Sequence, residues 1–115
     1  MKKILVYDQN EELADYIRTH YKPETEVIVC TNPKSVENII GCIKIDLMIS
    51  SLDRKKSDFK IVLPLIRSKF PTLPVVIINS GDGPVSQVKE FGQVTFLPAP
   101  FNKFDLETCL SKALN

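Results

Sequence analysis

Five short, unbroken apolar runs, separated by polar or helically periodic stretches, constrain this chain more than any other feature. A strand wetted on one side alternates apolar and polar residues, whereas a strand covered on both faces reads as a continuous run of Val, Ile and Leu. Lys3–Asp8 (KILVYD) is such a run. Glu26–Cys30, Ile45–Ser51 (IDLMISS), Val75–Asn79 (VVIIN) and Val94–Leu97 follow it. Between them the pattern turns helical. Asn10 is expected to cap a helix reaching about His20, with Glu11 and Glu12 in its acidic first turn. A second helix, Pro33–Cys42, has proline in its first turn and Gly41 near its end. Lys60–Lys69 carries Pro64, which costs ~3 kcal/mol inside a helix, so a kink or a late start is expected there. Pro84–Phe91 is a short helix after Gly81-Asp82-Gly83. Phe101–Leu114 closes the chain with apolar positions at Phe101, Phe104, Leu106, Leu110 and Leu114. Strands alternating with helices imply right-handed crossovers and a three-layer α/β sandwich.

The 115 residues fit one domain, 1–115, with a core that needs no metal or disulfide staple. Fifteen basic and 14 acidic residues leave a net charge of +1, which argues against a dedicated binder of nucleic acid or anionic membrane. Cys30, Cys42 and Cys109 are an odd, widely spaced set without a CxxC pair, so neither a disulfide framework nor a zinc ribbon is readable. The first apolar run is too short for a signal peptide, and no run approaches the ~20 apolar residues that span a bilayer. The expectation is a soluble cytoplasmic protein.

Open parallel sheets gather their sites at the carboxyl ends of the strands. Here those ends carry Asp8, Gln9, Ser51, Asp53, Asn79, Ser80, Ala99 and Pro100. The segments ILVYDQN, IDLMISSLD, IRSKFPTLPVVIINS and FGQVTFLPAPF stand in order along the chain. On these segments the chain resembles the receiver (REC, CheY-like) domain of bacterial response regulators, over essentially its full length. From Asp46 to Ser80 the spacing fits without a gap, and between Asn79 and Gly92 the chain is slightly short. The resemblance implies a flavodoxin-like sandwich, with five parallel strands in order 2-1-3-4-5 and helices on both faces. It also implies a part in two-component signal transduction and phosphorelay.

Receivers accept a phosphoryl group from a histidine kinase onto an aspartate, beside Mg²⁺ held by acidic neighbours. A Thr or Ser and a Lys then contact the phosphoryl group. Carried over by position, the first acidic residue is Asp8, and the adjacent acidic position, usually the more direct metal ligand, is Gln9. The acceptor position falls on Ser51, five residues after Asp46. The hydroxyl switch position is Asn79, with Ser80 next to it. The lysine position is Ala99, before the Pro100 that in the family follows a cis peptide. The resemblance therefore implies a degenerate phosphoryl pocket. Mg²⁺ is usually held by one or two carboxylates plus phosphate, and Asp8 alone is a poor start, so good Mg²⁺ binding is not expected. Losing both signs of charge together is coherent, because a lysine buried beside a neutralised pocket would be costly. The implied protein is a pseudo-receiver, not an enzyme, acting through protein–protein interaction.

Rival readings rest on the same residues. Asp53 would share a face with Ser51 if the strand continued, which keeps open a phospho-accepting receiver that uses Asp53 or Asp8. A solvated loop residue is the commoner fate of an aspartate there. Ser51 as a nucleophile needs a base and an oxyanion hole; the GxSxG elbow is absent, and His20 lies at the far end of its helix. Ser80-Gly81-Asp82-Gly83-Pro84 reads as a plain turn and matches no phosphate loop, which weakens a third reading, a small flavodoxin-like nucleotide-binding enzyme. Arg54-Lys55-Lys56 reads as a solvated loop. Phe96 stands where receivers carry the aromatic residue that signals activation, and without a hydroxyl it is read as core. Phe91, Phe96, Lys103 and Phe104 fall in or near the surface where receivers meet partners. An edge strand at Val94–Leu97 could also pair with another chain. The partner is expected to be a kinase, an output protein or a second copy, which would make a homodimer.

Overall fold

The computed structural model describes residues 2–8, 11–21, 23–52, 59–79, 94–98 and 101–114; of residues 33, 51, 52, 59–62 and 79 it describes the backbone alone. The strands are β1 (Lys3–Tyr7), β2 (Glu26–Cys30), β3 (Leu47–Leu52), β4 (Val75–Asn79) and β5 (Val94–Pro98). The helices are α1 (Glu12–His20), α2 (Pro33–Cys42), α3 (Phe59–Lys69) and α4 (Lys103–Leu114). All strand pairs are parallel, in the order β2-β1-β3-β4-β5, as the resemblance implied.

The unbroken apolar runs have a simple cause: successive side chains of each central strand enter different cores. Ile4, Val6, Leu47, Ile49, Val76 and Ile78 pack with Ala14 and Ile17 of α1 and with Leu106 and Leu110 of α4. Leu5, Tyr7, Met48, Val75 and Ile77 enter the other core, against Val36 and Ile40 of α2 and Leu63 and Ile66 of α3.

Several boundaries differ from the sequence expectation, each for a local reason. Glu11, not Asn10, is the N-cap of α1, and the Glu11 side chain makes no capping bond. β3 begins at Leu47 because Asp46 is tied to the start of β1. Its Oδ2 accepts from the Lys3 N–H (2.9 Å), while its own N–H donates to the Lys3 carbonyl (2.9 Å). α3 starts at Phe59 rather than late, and it contains Pro64. That ring is exposed, where water can serve the carbonyl that loses its partner. Arg67 secures the turn after α3 by donating to the Phe70 and Leu73 carbonyls (3.2 and 2.6 Å). α4 begins at Lys103 because Asn102 and Asp105 cap each other's backbone: the Asp105 N–H donates to Asn102 Oδ1 (2.8 Å) and the Asn102 N–H to Asp105 Oδ2 (3.2 Å). Its buried stripe is Leu106, Cys109 and Leu110, which leaves Phe104 outside, 72% exposed. Phe101, outside the helix, meets Tyr16 edge-on with ring centroids 5.8 Å apart. The helix expected at Pro84–Phe91 lies outside the described residues.

Three tests follow from this packing. Leu110→Ala, which empties a fully buried site, is expected to cost about 2–5 kcal/mol in urea unfolding. Asn102→Ala removes a cap and is expected to cost about 1 kcal/mol. Burial pushes the Cys30 thiol up from 9.0 to about 11. Between those values the unfolded chain releases a proton that the folded protein keeps, so stability falls as pH rises through that window. Below pH 9 the thiol makes no such difference, and Cys30→Ala is expected to flatten the alkaline decline.

Candidate functional site

Parallel register decides which residues share the carboxyl edge. Tyr7 lies opposite Ser50, so Asp8, the next residue, stands level with Ser51. Ser51 pairs with Ile78 and Leu52 with Asn79; Asn79 pairs in turn with Pro98. Adjacent strands lie ~4.8 Å apart. Asp8 and Ser51 thus stand at one level of the carboxyl edge, and Asn79 stands one residue beyond that level on the next strand. Strand order reverses at β1, with β2 on one side and β3 on the other, which is where an open α/β sheet forms its crevice. Asp8 is half-buried there, and its N–H donates to the Cys30 carbonyl (3.2 Å).

The structure brings Asp8 together with the strand positions of Ser51 and Asn79. Gln9, Asp53, Ser80, Ala99 and Pro100 lie outside the described residues, as do Arg54-Lys55-Lys56 and the Ser80–Pro84 turn. His20 is the last residue of α1, stacked at a tilt on Tyr16 with centroids 4.4 Å apart. A helix that follows β1 starts at the carboxyl edge and ends at the amino edge, so the chain's single histidine offers Ser51 no base. Sequence reasoning passed over Ser50, a buried polar residue at 2% exposure, two positions before the strand end. Its signal was the serine pair that interrupts the apolar run.

Among the described residues the donor set is poor for a resident Mg²⁺, which prefers a near-octahedral shell of oxygens. Asp8 is the single carboxylate at the described strand ends, and no cluster of three or more His, Cys, Asp or Glu suited to a metal exists among the described residues. The described residues do not fit that ion.

Of the expected partner surface, Phe96 and Phe104 line one groove of about 380 Å³ between β5 and α4, together with Pro98, Thr108 and Lys112. Phe96 is half-buried and also packs against the core beneath α2 and α3, in keeping with its reading as core. Lys103 does not line the groove; it faces Glu107 at 3.7 Å. Phe91 lies outside the described residues. A second cleft of about 390 Å³, at the amino edge, is lined by Ile40, Ile43, Phe70 and Leu73, and sequence reasoning did not single it out. No described helix is long and apolar enough to cross a membrane.

No family model matches the sequence, and no curated protein matches it by sequence. Solved structures do match over almost the whole chain. The receiver domain of the Francisella response regulator 1452 superposes with a TM-score of 0.79 at 20% identity, covering 99% of this chain and 97% of that one. The signal receiver domain of an HD domain-containing protein from Pseudomonas fluorescens Pf-5 gives 0.84 at 17% identity, covering 98% and 94%. The chemotaxis protein CheY4 of Vibrio cholerae gives 0.83 at 18% identity, covering 99% of each chain. At these identities the likeness is one of architecture: the chain has the fold of a response-regulator receiver domain.

Proposed function

We propose that this chain is a receiver-like signalling domain whose output does not depend on aspartyl phosphorylation and is exerted by binding another protein. The observation that carries the reading is the register that sets Ser51 level with Asp8. A phosphoryl group on an aspartate is a mixed anhydride, whereas on Ser51 it would be an ester, a different bond with a different donor requirement. The strand ends around it support the same reading. Asp8 is their one described carboxylate, and the sequence puts Gln9 and Ala99 where the receiver pattern has an acidic residue and a lysine. The fold supports the signalling class, and the apolar groove at Phe104 supports a protein partner, because a large exposed aromatic is a common anchor at interfaces.

The test is the intact mass after incubation with acetyl phosphate and Mg²⁺, beside a working receiver. The expected result is no phosphoryl adduct on this chain while the control is labelled. An adduct mapped to Asp8 or Asp53 would overturn the reading and establish a phospho-accepting receiver with an altered pocket. Ser51→Asp alone is expected to stay unlabelled, because Gln9 and Ala99 remain. The triple variant with Gln9→Asp, Ser51→Asp and Ala99→Lys is expected to regain labelling.

A further inference from the structure

β2 is an outer strand of the described sheet, and its residues divide cleanly by the direction of their backbone groups. The Glu26 N–H donates to the Lys2 carbonyl (2.9 Å), and the Cys30 carbonyl accepts from the Asp8 N–H (3.2 Å). Alternate residues of a parallel strand bond to the same neighbour, so Glu26, Ile28 and Cys30 are committed to β1. The N–H and C=O groups of Val27 and Val29 therefore point away from the sheet. Val27, Ile28 and Val29 are β-branched, half-buried and consecutive, the profile of a strand that pairs readily.

One side chain stands in the way. Arg18, on the last turn of α1, donates from Nη2 to the outward Val27 carbonyl (3.2 Å) and is held by Asp15 through Nη1 (3.1 Å). We propose that the β2 edge is a latent strand-pairing surface for a second copy of this chain, and that Arg18 keeps it closed.

The occupant follows from self-complementarity. An antiparallel partner centred with Ile28 opposite Ile28 sets Val27 of each copy against Val29 of the other. In that register the outward N–H and C=O groups of both valines are satisfied reciprocally, and the two-fold axis closes the assembly at a dimer. The same register requires the Val27 carbonyl that Arg18 occupies, once in each copy. It also sets the two Val27 positions roughly 9 Å apart, a separation close to the ~8 Å screening length at physiological ionic strength. Two guanidinium groups thus meet as like charges on the edge, in addition to blocking its acceptors. The valines lie over the α1 core and Ile28 over the α2 core, so pairing leaves both cores undisturbed.

The experiment joins sedimentation velocity over a concentration series with amide exchange by NMR, on the full chain. Arg18→Ala is expected to tighten self-association roughly tenfold or more, the change that about 1.4 kcal/mol produces. The Val27 and Val29 amides should then become slow to exchange, while in the parent protein only the amides facing β1 are protected. Adding Val29→Pro, which removes an outward donor and no bond to β1, should return the variant to the parent's behaviour. Unchanged association in Arg18→Ala overturns the proposal. So does association that leaves the two valine amides fast, or that survives Val29→Pro, since another surface would then be responsible. If Arg18→Ala failed to fold, Arg18→Met, which keeps the aliphatic stem but removes the charge and the donor to the Val27 carbonyl, must move the same readouts in the same direction. No movement in that variant also overturns it.

Discussion

Parallel pairing of five strands is the constraint from which the rest of the molecule follows. A parallel neighbour cannot be reached by a hairpin, so the chain must return across one face of the sheet each time, and the returning helices cover both faces. Two-sided cover forces apolar residues at consecutive positions of β1, β3 and β4. It also sends every carboxyl end to the same edge. The crevice is thus a by-product of covering the sheet, and what it can do depends on a handful of residues that packing leaves free to vary.

That division explains what was legible in the sequence. β2, α2 and β4 were readable to the residue because apolar content, proline position and flanking polar residues agree on their limits. Errors arose where a side chain worked for the tertiary structure. Asp46 read as part of a strand run, but it bonds to the backbone of β1. Phe104 read as part of an apolar stripe, yet it lies about two residues' rotation from Leu106, on the wet side of α4. Asn32 supplies a cap to α2 by accepting from the Ser35 N–H (2.9 Å), a bond that the Asn-Pro start makes visible in retrospect. Pro64 was weighed as if its helix were isolated; an exposed face in a packed helix tolerates it.

The candidate site was legible in a different way. Which residues stand at strand ends follows from the runs themselves, and the register sets Asp8 and Ser51 at one level. Chemistry is another matter, because it depends on side-chain identity at a few positions rather than on a pattern spread over many. A strand end that swaps aspartate for serine folds as well as before, since neither residue contributes much to the core. The fold therefore carries little information about whether the pocket works, which is why architecture and activity are separate questions here.

The bond from the Lys3 amide to Asp46 has a consequence for heritable variation. One partner is a side chain and the other is main chain, so the genetic burden of keeping the β1–β3 junction falls unequally on the two codons. Any amino acid except proline supplies the donor at position 3, whereas position 46 must keep a short side chain that accepts at that distance. Drift can therefore move freely through one half of this contact, and the surface around residue 3 can be rewritten without loosening the seam beneath it.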